Sequence, residues 1–341
     1  MIRFIISFLI IFSKLYSQDI NKNYPLQIAL IGNFVTSSND TIQNCFITFR
    51  TFGKVNLDSS NIIFYPTWLG GNSESIGTLL SKYAYLDTNK FFIIAIDALG
   101  NGFSSSPSNT LNFPQITFDD MTKAYFIVLT KHLKLKKVYA IVGGSMGGMT
   151  AFEFAIKFPH FADKIVAYVS YPELSSYDLL WINSQINLIE HLNQLKSPLK
   201  NIKAYSDMLT ALIARTPEYL NENVKTSEFK DYFNKFYKEP DTIYTLDNYL
   251  AQLKAISTYN LSKDLNEELN IITNFIKAKL LIIVSETDMM VNPASSIKLA
   301  KNMNAELFIL KNNCGHLAVS CEIEKVREII NNFLSKNNSV K

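Results

Sequence analysis

The sequence predicts an α/β architecture, a mostly parallel sheet with helices on both faces and a helical cap inserted between two of its later strands. Three observations predict it. Short apolar runs alternate with segments of helical spacing, and each run is cut off by Gly, Pro, Ser or Asp. The alternation lapses once, over residues 173–278, where only helical periodicity remains.

The first β-rich runs are Pro25 to Thr36 and Asn44 to Phe52, parted by the turn-forming Ser37-Ser38-Asn39-Asp40. Ile62 to Tyr65, Phe91 to Ile96, Val138 to Val142, Ile165 to Val169 and Leu280 to Val284 follow. They are apolar and rich in β-branched and aromatic residues, as expected of strands buried on both faces. Phe118 to Leu133 has helical spacing and begins with Asp119 and Asp120, whose charges suit a helix N-terminus. Ala294 to Met303, after Pro293, and Ile323 to Leu334 share that spacing. Within the lapse, Leu179 to Leu195, Ala204 to Ala214, Phe229 to Phe236 and Leu246 to Ile256 are helical. The predicted division is a core of residues 18–172 and 279–341 and a cap of residues 173–278. The Asn/Lys-rich tail after Leu334 is expected to fray.

The 341 residues are 48% hydrophobic and 18% charged, which excludes a disordered chain and fits one domain with an insertion. The net charge is only +3 and lysines are interleaved with acids, so no basic stripe marks a nucleic-acid partner. A small molecule is the expected ligand.

Residues 1–17 stand apart. Arg3 precedes Phe4 to Phe12, apolar apart from Ser7, and Ser17 supplies a small residue at the end. This pattern predicts a secretory signal peptide, too short to span a bilayer, and an exported protein beginning near Gln18. Cys45, Cys314 and Cys321 form neither a disulfide framework nor a metal-ligand pattern, so no metal is expected. Buried free thiols are the expectation, with a Cys314–Cys321 bridge as the alternative.

Gly143-Gly144-Ser145-Met146-Gly147-Gly148 follows the Val138 to Val142 strand and precedes the helical Met149 to Phe158. Strand, tight turn and helix make the context of a G-x-S-x-G nucleophile elbow, and with it the α/β-hydrolase fold. The glycines keep side chains from colliding across the turn that lifts Ser145. The Met146 amide then points to where an oxyanion forms. A serine hydroxyl needs a base. Of four histidines, His132 and His160 lie on or beside helices and His191 in the cap. His316 follows the strand-like Glu306 to Leu310 and precedes the last helix, the expected place for the base. Asp288, just after the Leu280 to Val284 strand, is placed to orient it, with Glu286 and Glu173 as rivals. A second oxyanion donor is expected from Tyr65-Pro66-Thr67-Trp68-Leu69-Gly70-Gly71, where Trp68 is the candidate and Pro66 lacks an N–H.

With these residues in place, the sequence resembles the homoserine O-acetyltransferase family. The resemblance rests on Phe113-Pro114-Gln115-Ile116-Thr117-Phe118-Asp119-Asp120-Met121 and on the elbow Gly143-Gly144-Ser145-Met146-Gly147-Gly148-Met149. Phe52-Gly53-Lys54-Val55-Asn56 and Leu99-Gly100-Asn101-Gly102 with Ser105 and Pro107 are similar to two further family turns. It implies an O-acyltransferase working through acyl-Ser145, with acyl-CoA as co-substrate, no bound cofactor, and a homodimer formed by the cap. Two departures bear on the acceptor. The family commonly has His-Ala-Leu-Thr-Gly where this chain has Pro66-Thr67-Trp68-Leu69-Gly70, and an Asp after the catalytic His where this chain has Leu317. A leucine does not pair with an ammonium, so homoserine is not the expected acceptor. Arg215, the only Arg in the predicted cap, is the candidate counterpart of the family's substrate-binding Arg.

The expected chemistry is acyl transfer from a small ester or thioester to Ser145 and then to an alcohol or to water. The resemblance favours the alcohol and makes the O-acyltransferase the first reading; the export signal, which removes the chain from acetyl-CoA, favours water and makes an exported esterase the alternative. A non-catalytic binding protein on the same scaffold is the third reading, and the complete Ser145, Asp288, His316 set argues against it.

Overall fold

Eight strands form one sheet in the order β1-β2-β4-β3-β5-β6-β7-β8 in a computed structural model that describes residues 20, 22–239, 241–261 and 269–336. The segment expected to be a signal peptide lies outside the described residues. The strands are β1 (Gln27–Val35), β2 (Thr41–Phe52), β3 (Ile62–Pro66), β4 (Phe92–Ile96), β5 (Val138–Gly144), β6 (Ala162–Tyr168), β7 (Lys279–Ser285) and β8 (Glu306–Leu310). β1 and β2 pair antiparallel, as do β2 and β4, and the remaining neighbours are parallel.

The uninterrupted apolar runs become central strands because both sheet faces are covered. Along β3, Ile62 and Phe64 enter one core while Ile63 and Tyr65 enter the other, the two-residue alternation of a pleated strand. The two cores are thus separated by the sheet itself.

Helix α1 (Ser73–Tyr83) follows β3 and was not foreseen, because Ser, Thr and Gly dilute its apolar spacing. It is started by the Asn72 side chain, which accepts from the Ser75 amide at 2.9 Å. Helix α2 (Phe118–Ile127) opens on a reciprocal capping box between Thr117 and Asp120. The expected helix over residues 118–133 is not uniform: residues Val128–His132 form a wider π turn. There the Thr130 hydroxyl donates to the Phe126 carbonyl at 2.6 Å, a bond that loosens the regular ladder. Helix α3 (Met146–Lys157) leaves the elbow.

Between β6 and β7 the chain runs through α4 (Ser176–Gln194), α5 (Leu199–Ala214), α6 (Pro217–Asn223), α7 (Phe229–Asn234), α8 (Leu246–Ser257) and α9 (Leu269–Ile272). Buried Asn248 and Gln252, one turn apart on α8, grip the core: Asn248 bonds Ser108, and Gln252 accepts from the Gly70 amide at 3.3 Å. Helix α10 (Ala294–Met303) connects β7 to β8, and α11 (Ala318–Cys321) and α12 (Ile323–Ser335) end the described chain. No described helix is long and apolar enough to cross a membrane.

Cys314 and Cys321 are joined by a disulfide, which corrects the expectation of free thiols. The tight turn at Gly315–Leu317 and the short α11 bring their Cα atoms to 6.6 Å, a spacing the sequence pattern does not encode. Cys45 is free and buried, and desolvation pushes its thiol up to about 11.

Candidate active site

The carboxyl ends of β3, β5, β7 and β8 converge on one rim of the sheet, where an open α/β sheet offers its crevice. Ser145 follows β5 and caps α3 with φ 53° and ψ −124°, a positive-φ conformation that a non-glycine residue holds only when its surroundings enforce it. The Ser145 amide donates to the Tyr168 carbonyl at 3.0 Å, and its own carbonyl accepts from the Gly148 amide at 2.9 Å and the Ser170 hydroxyl at 2.8 Å.

The elbow glycines are required by contact, partly with different partners from those the motif suggests. A Cβ on Gly143 would stand 2.3 Å from the Gly147 carbonyl oxygen, so these two do meet across the turn. One on Gly147 would strike the Pro66 carbonyl oxygen at 2.5 Å, because α3 packs directly against the end of β3.

His316 lies in the 3-10 turn Gly315–Leu317 after β8. Its Nε2 is 3.1 Å from Ser145 Oγ and its Nδ1 is 2.8 Å from Asp288 Oδ2. Asp288 is buried, and its other oxygen accepts from the amides of Met290 at 2.9 Å and Val291 at 2.8 Å. That leaves the carboxylate no freedom to turn from the imidazole. Of its rivals, Glu286 is exposed, and Glu173 lies outside the cavity that holds Ser145. The structure therefore brings Ser145, His316 and Asp288 into one hydrogen-bonded line.

Trp68 and Met146 line the same cavity as Ser145, and among the described residues neither amide donates to another backbone group. The Trp68 loop is fixed from below by Asp97, which accepts from the Ser73 amide at 2.6 Å, the Ser73 hydroxyl at 2.8 Å and the Thr48 hydroxyl at 2.8 Å. Burial pushes the Asp97 carboxyl up, and these bonds and Arg50 oppose that shift. Asn101 adds a bond to the Gly71 carbonyl at 3.2 Å.

The cavity has a volume of about 520 Å³, enough for a small-molecule ligand. It straddles the two cores. Leu79, Tyr85, Tyr168 and Ile323 wall one side, and Met149, Tyr171, Trp181 and Tyr249 the other, with Ser145 and His316 between. The cap adds Lys203, which is ion-paired with Asp207, and Asp241. Arg215 is not among the lining residues: extended backbone after α5 turns it away, and its guanidinium stacks on the Tyr219 ring at 4.1 Å. Among the described residues no group of three or more His, Cys, Asp or Glu could hold a metal ion.

A family model described as the alpha/beta hydrolase fold matches residues 62–320. The chain belongs to the alpha/beta hydrolase fold family. It is 29% identical over 172 residues to an ethyl acetate hydrolase of Pseudomonas veronii, covering 48% of this chain and 49% of that one. The chain thus spans about half the length of that relative. It is 27% identical over 344 residues to a homoserine O-acetyltransferase of Sulfurimonas autotrophica, covering 85% and 92%. Among solved structures, an acetylester hydrolase from Corynebacterium glutamicum shares the fold with a TM-score of 0.80 at 22% identity, covering 91% of this chain and 95% of that one.

The His316 turn is held by a carboxylate that sequence reasoning missed. Glu322 Oε1 accepts from Asn312 Nδ2 at 2.6 Å, and Asn312 Oδ1 accepts from the Cys314 amide at 3.0 Å. Hydrogen bonds from Lys325 and then Asn312 hold the Glu322 carboxyl below its ordinary value. A depressed folded pKa contributes stability that is present above the unfolded pKa and lost as pH falls through the folded one. Wild type is therefore expected to melt above Glu322→Gln at neutral pH, with the gap closing on acidification below about pH 4.5. Melting temperatures of both proteins across that range check it; a gap independent of pH would contradict it.

Proposed function

We propose that this protein is a serine esterase acting on small esters that carry no anionic group, which passes the acyl group through Ser145 to water. The observation that carries the reading is the character of the cavity wall. Aromatic and aliphatic side chains dominate it, the Lys203 ammonium is neutralised by Asp207, and Leu317 stands at the mouth beside His316. Such a wall has no surplus cation for a carboxylate or a phosphate.

In the proposed mechanism His316 Nε2 takes the proton of Ser145 Oγ as the oxygen attacks the ester carbonyl. The Met146 and Trp68 amides receive the oxyanion, and Asp288 stabilises the imidazolium. The alcohol leaves with the proton from His316, which then deprotonates the water that releases the acid. The names of the ethyl acetate hydrolase and acetylester hydrolase relatives support this reading. The export pattern of residues 1–17 and the disulfide support an oxidising compartment, where acyl-CoA is not at hand.

A second reading, acyl transfer to an alcohol with acyl-CoA as donor, is favoured by the match to a homoserine O-acetyltransferase along 85% of this chain. Homoserine brings an ammonium and a carboxylate, and an ammonium without its partner loses a charge-assisted hydrogen bond of about 1.5–3 kcal/mol. That is roughly a ten- to hundredfold loss in selectivity. The test compares p-nitrophenyl acetate hydrolysis with acetyl-CoA-dependent acetylation of homoserine, in wild type and in Leu317→Asp. Hydrolysis is expected to dominate in wild type. Efficient homoserine acetylation by wild type, unchanged in the variant, would overturn the esterase reading.

A further inference from the structure

We propose that the Cys314–Cys321 disulfide is a positioning element for His316, holding the base in line with Ser145 and Asp288, so that its reduction lowers turnover. The proposal rests on the reading of His316 as the base.

The bridge closes a short ring of chain around the imidazole. The cysteines are seven residues apart, and between them lie His316 and three other cavity-lining residues, Leu317, Val319 and Ser320. Hydrogen bonds hold its entry, where Thr287 Oγ1 donates to the Asn312 carbonyl at 3.0 Å and Thr216 Oγ1 donates to the Asn313 carbonyl. Past His316 the side-chain contacts are few: Asn312 Nδ2 donates to the Ala318 carbonyl at 3.2 Å, and Arg215 Nη1 lies 3.7 Å from Cys321 Sγ. His316 sits within a 3-10 turn that is followed by the four-residue α11, both too short to be stable by themselves.

The ring also has no slack on its inner side. Gly315 has a φ of 63°, and a Cβ there would stand 2.9 Å from the Ala214 carbonyl oxygen at the end of α5. The cap therefore presses on one flank of His316 while the disulfide ties the other. Opening the bridge adds conformational freedom to the residues that must hold the imidazole against two partners. Misplacement by about 1 Å at a reacting group is enough to cost on the order of a hundredfold in rate.

Access favours reduction from outside. Cys321 is exposed, whereas Cys314 is buried. An external dithiol attacks Cys321, the S–S bond breaks with Cys314 leaving as a thiol, and the reagent closes to its own cyclic disulfide while releasing Cys321 as the second thiol.

The test uses the oxidised full-length protein before and after dithiothreitol, with thiol titration to establish that both bridge cysteines are freed. On reduction, kcat is expected to fall about ten- to hundredfold, with KM changed little and the acidic limb of the kcat/KM profile displaced. Reoxidation should restore both. Cys314→Ala/Cys321→Ala should copy the reduced state and ignore dithiothreitol, while Cys45→Ala should still respond. A full kcat and an unmoved pH profile in protein shown to be reduced, even if its melting temperature drops, would overturn the proposal. The same result with an active Ser145→Ala variant would instead overturn the reading of the site itself.

Discussion

Replacing Ser145 with alanine is expected to lower kcat for any ester substrate by on the order of 10⁴-fold or more while leaving the fold intact. The size of the effect follows from the geometry. Ser145 Oγ stands 3.1 Å from His316 Nε2, and removing it leaves the base nothing to activate within the cavity except water. The fold should survive because the elbow is built from backbone. Its bonds to Tyr168, Gly148 and Ser170 use the Ser145 amide and carbonyl, and an alanine keeps both. Unchanged circular dichroism and melting, with activity at background, is the expected pairing. Residual activity within tenfold of wild type would remove Ser145 from the mechanism.

Asp288→Asn is expected to lower kcat by on the order of 10⁴-fold with KM little changed. The buried carboxylate faces His316 Nδ1 through one oxygen and two backbone amides through the other. An amide in its place keeps the shape. The two backbone donors still need an acceptor, so the Asn oxygen stays with them and its NH₂ turns to His316. The ring is then held with its proton on the nitrogen that should accept from Ser145. Steady-state kinetics of the variant check this. A loss confined to KM would assign Asp288 to substrate binding instead.

These two residues were legible in the sequence for a physical reason. A parallel sheet puts its strand ends on one rim, so a serine, an acid and a histidine placed after three separate strands meet there whatever lies between them. The apolar runs of β3 to β7 were equally legible, since burial on both faces leaves no polar residue inside the run. What the sequence hid is of another kind. Helix α1 carries Ser, Thr and Gly77, and the glycine is there because the Phe52 ring would stand 2.9 Å from a Cβ, a tertiary fact. Arg215 was the only cap arginine, yet the backbone after α5 directs it to Tyr219. Lys203 and Asp207 reach the cavity only because the cap folds over it, and no spacing announces that.

Gln252 shows how cap and core are joined in a way that periodicity cannot reveal. Its carbonyl accepts from the Gly70 amide and from the Tyr244 hydroxyl at 3.0 Å, tying the Trp68 loop to α8 and to the segment before it. Read as sequence, it is one more polar residue on a helix. In the fold it is fully buried between the two parts that frame the cavity.

Passage of the acyl group through Ser145 is open to an active-site titration. Wild type is mixed with a p-nitrophenyl alkylphosphonate, the released p-nitrophenolate is counted, and the modified peptide is identified by mass spectrometry. The expected result is one equivalent released per chain, loss of esterase activity in step with release, and the phosphonyl group on Ser145. Complete inactivation with the adduct on another residue, or stoichiometric labelling of Ser145 with activity retained, would contradict it.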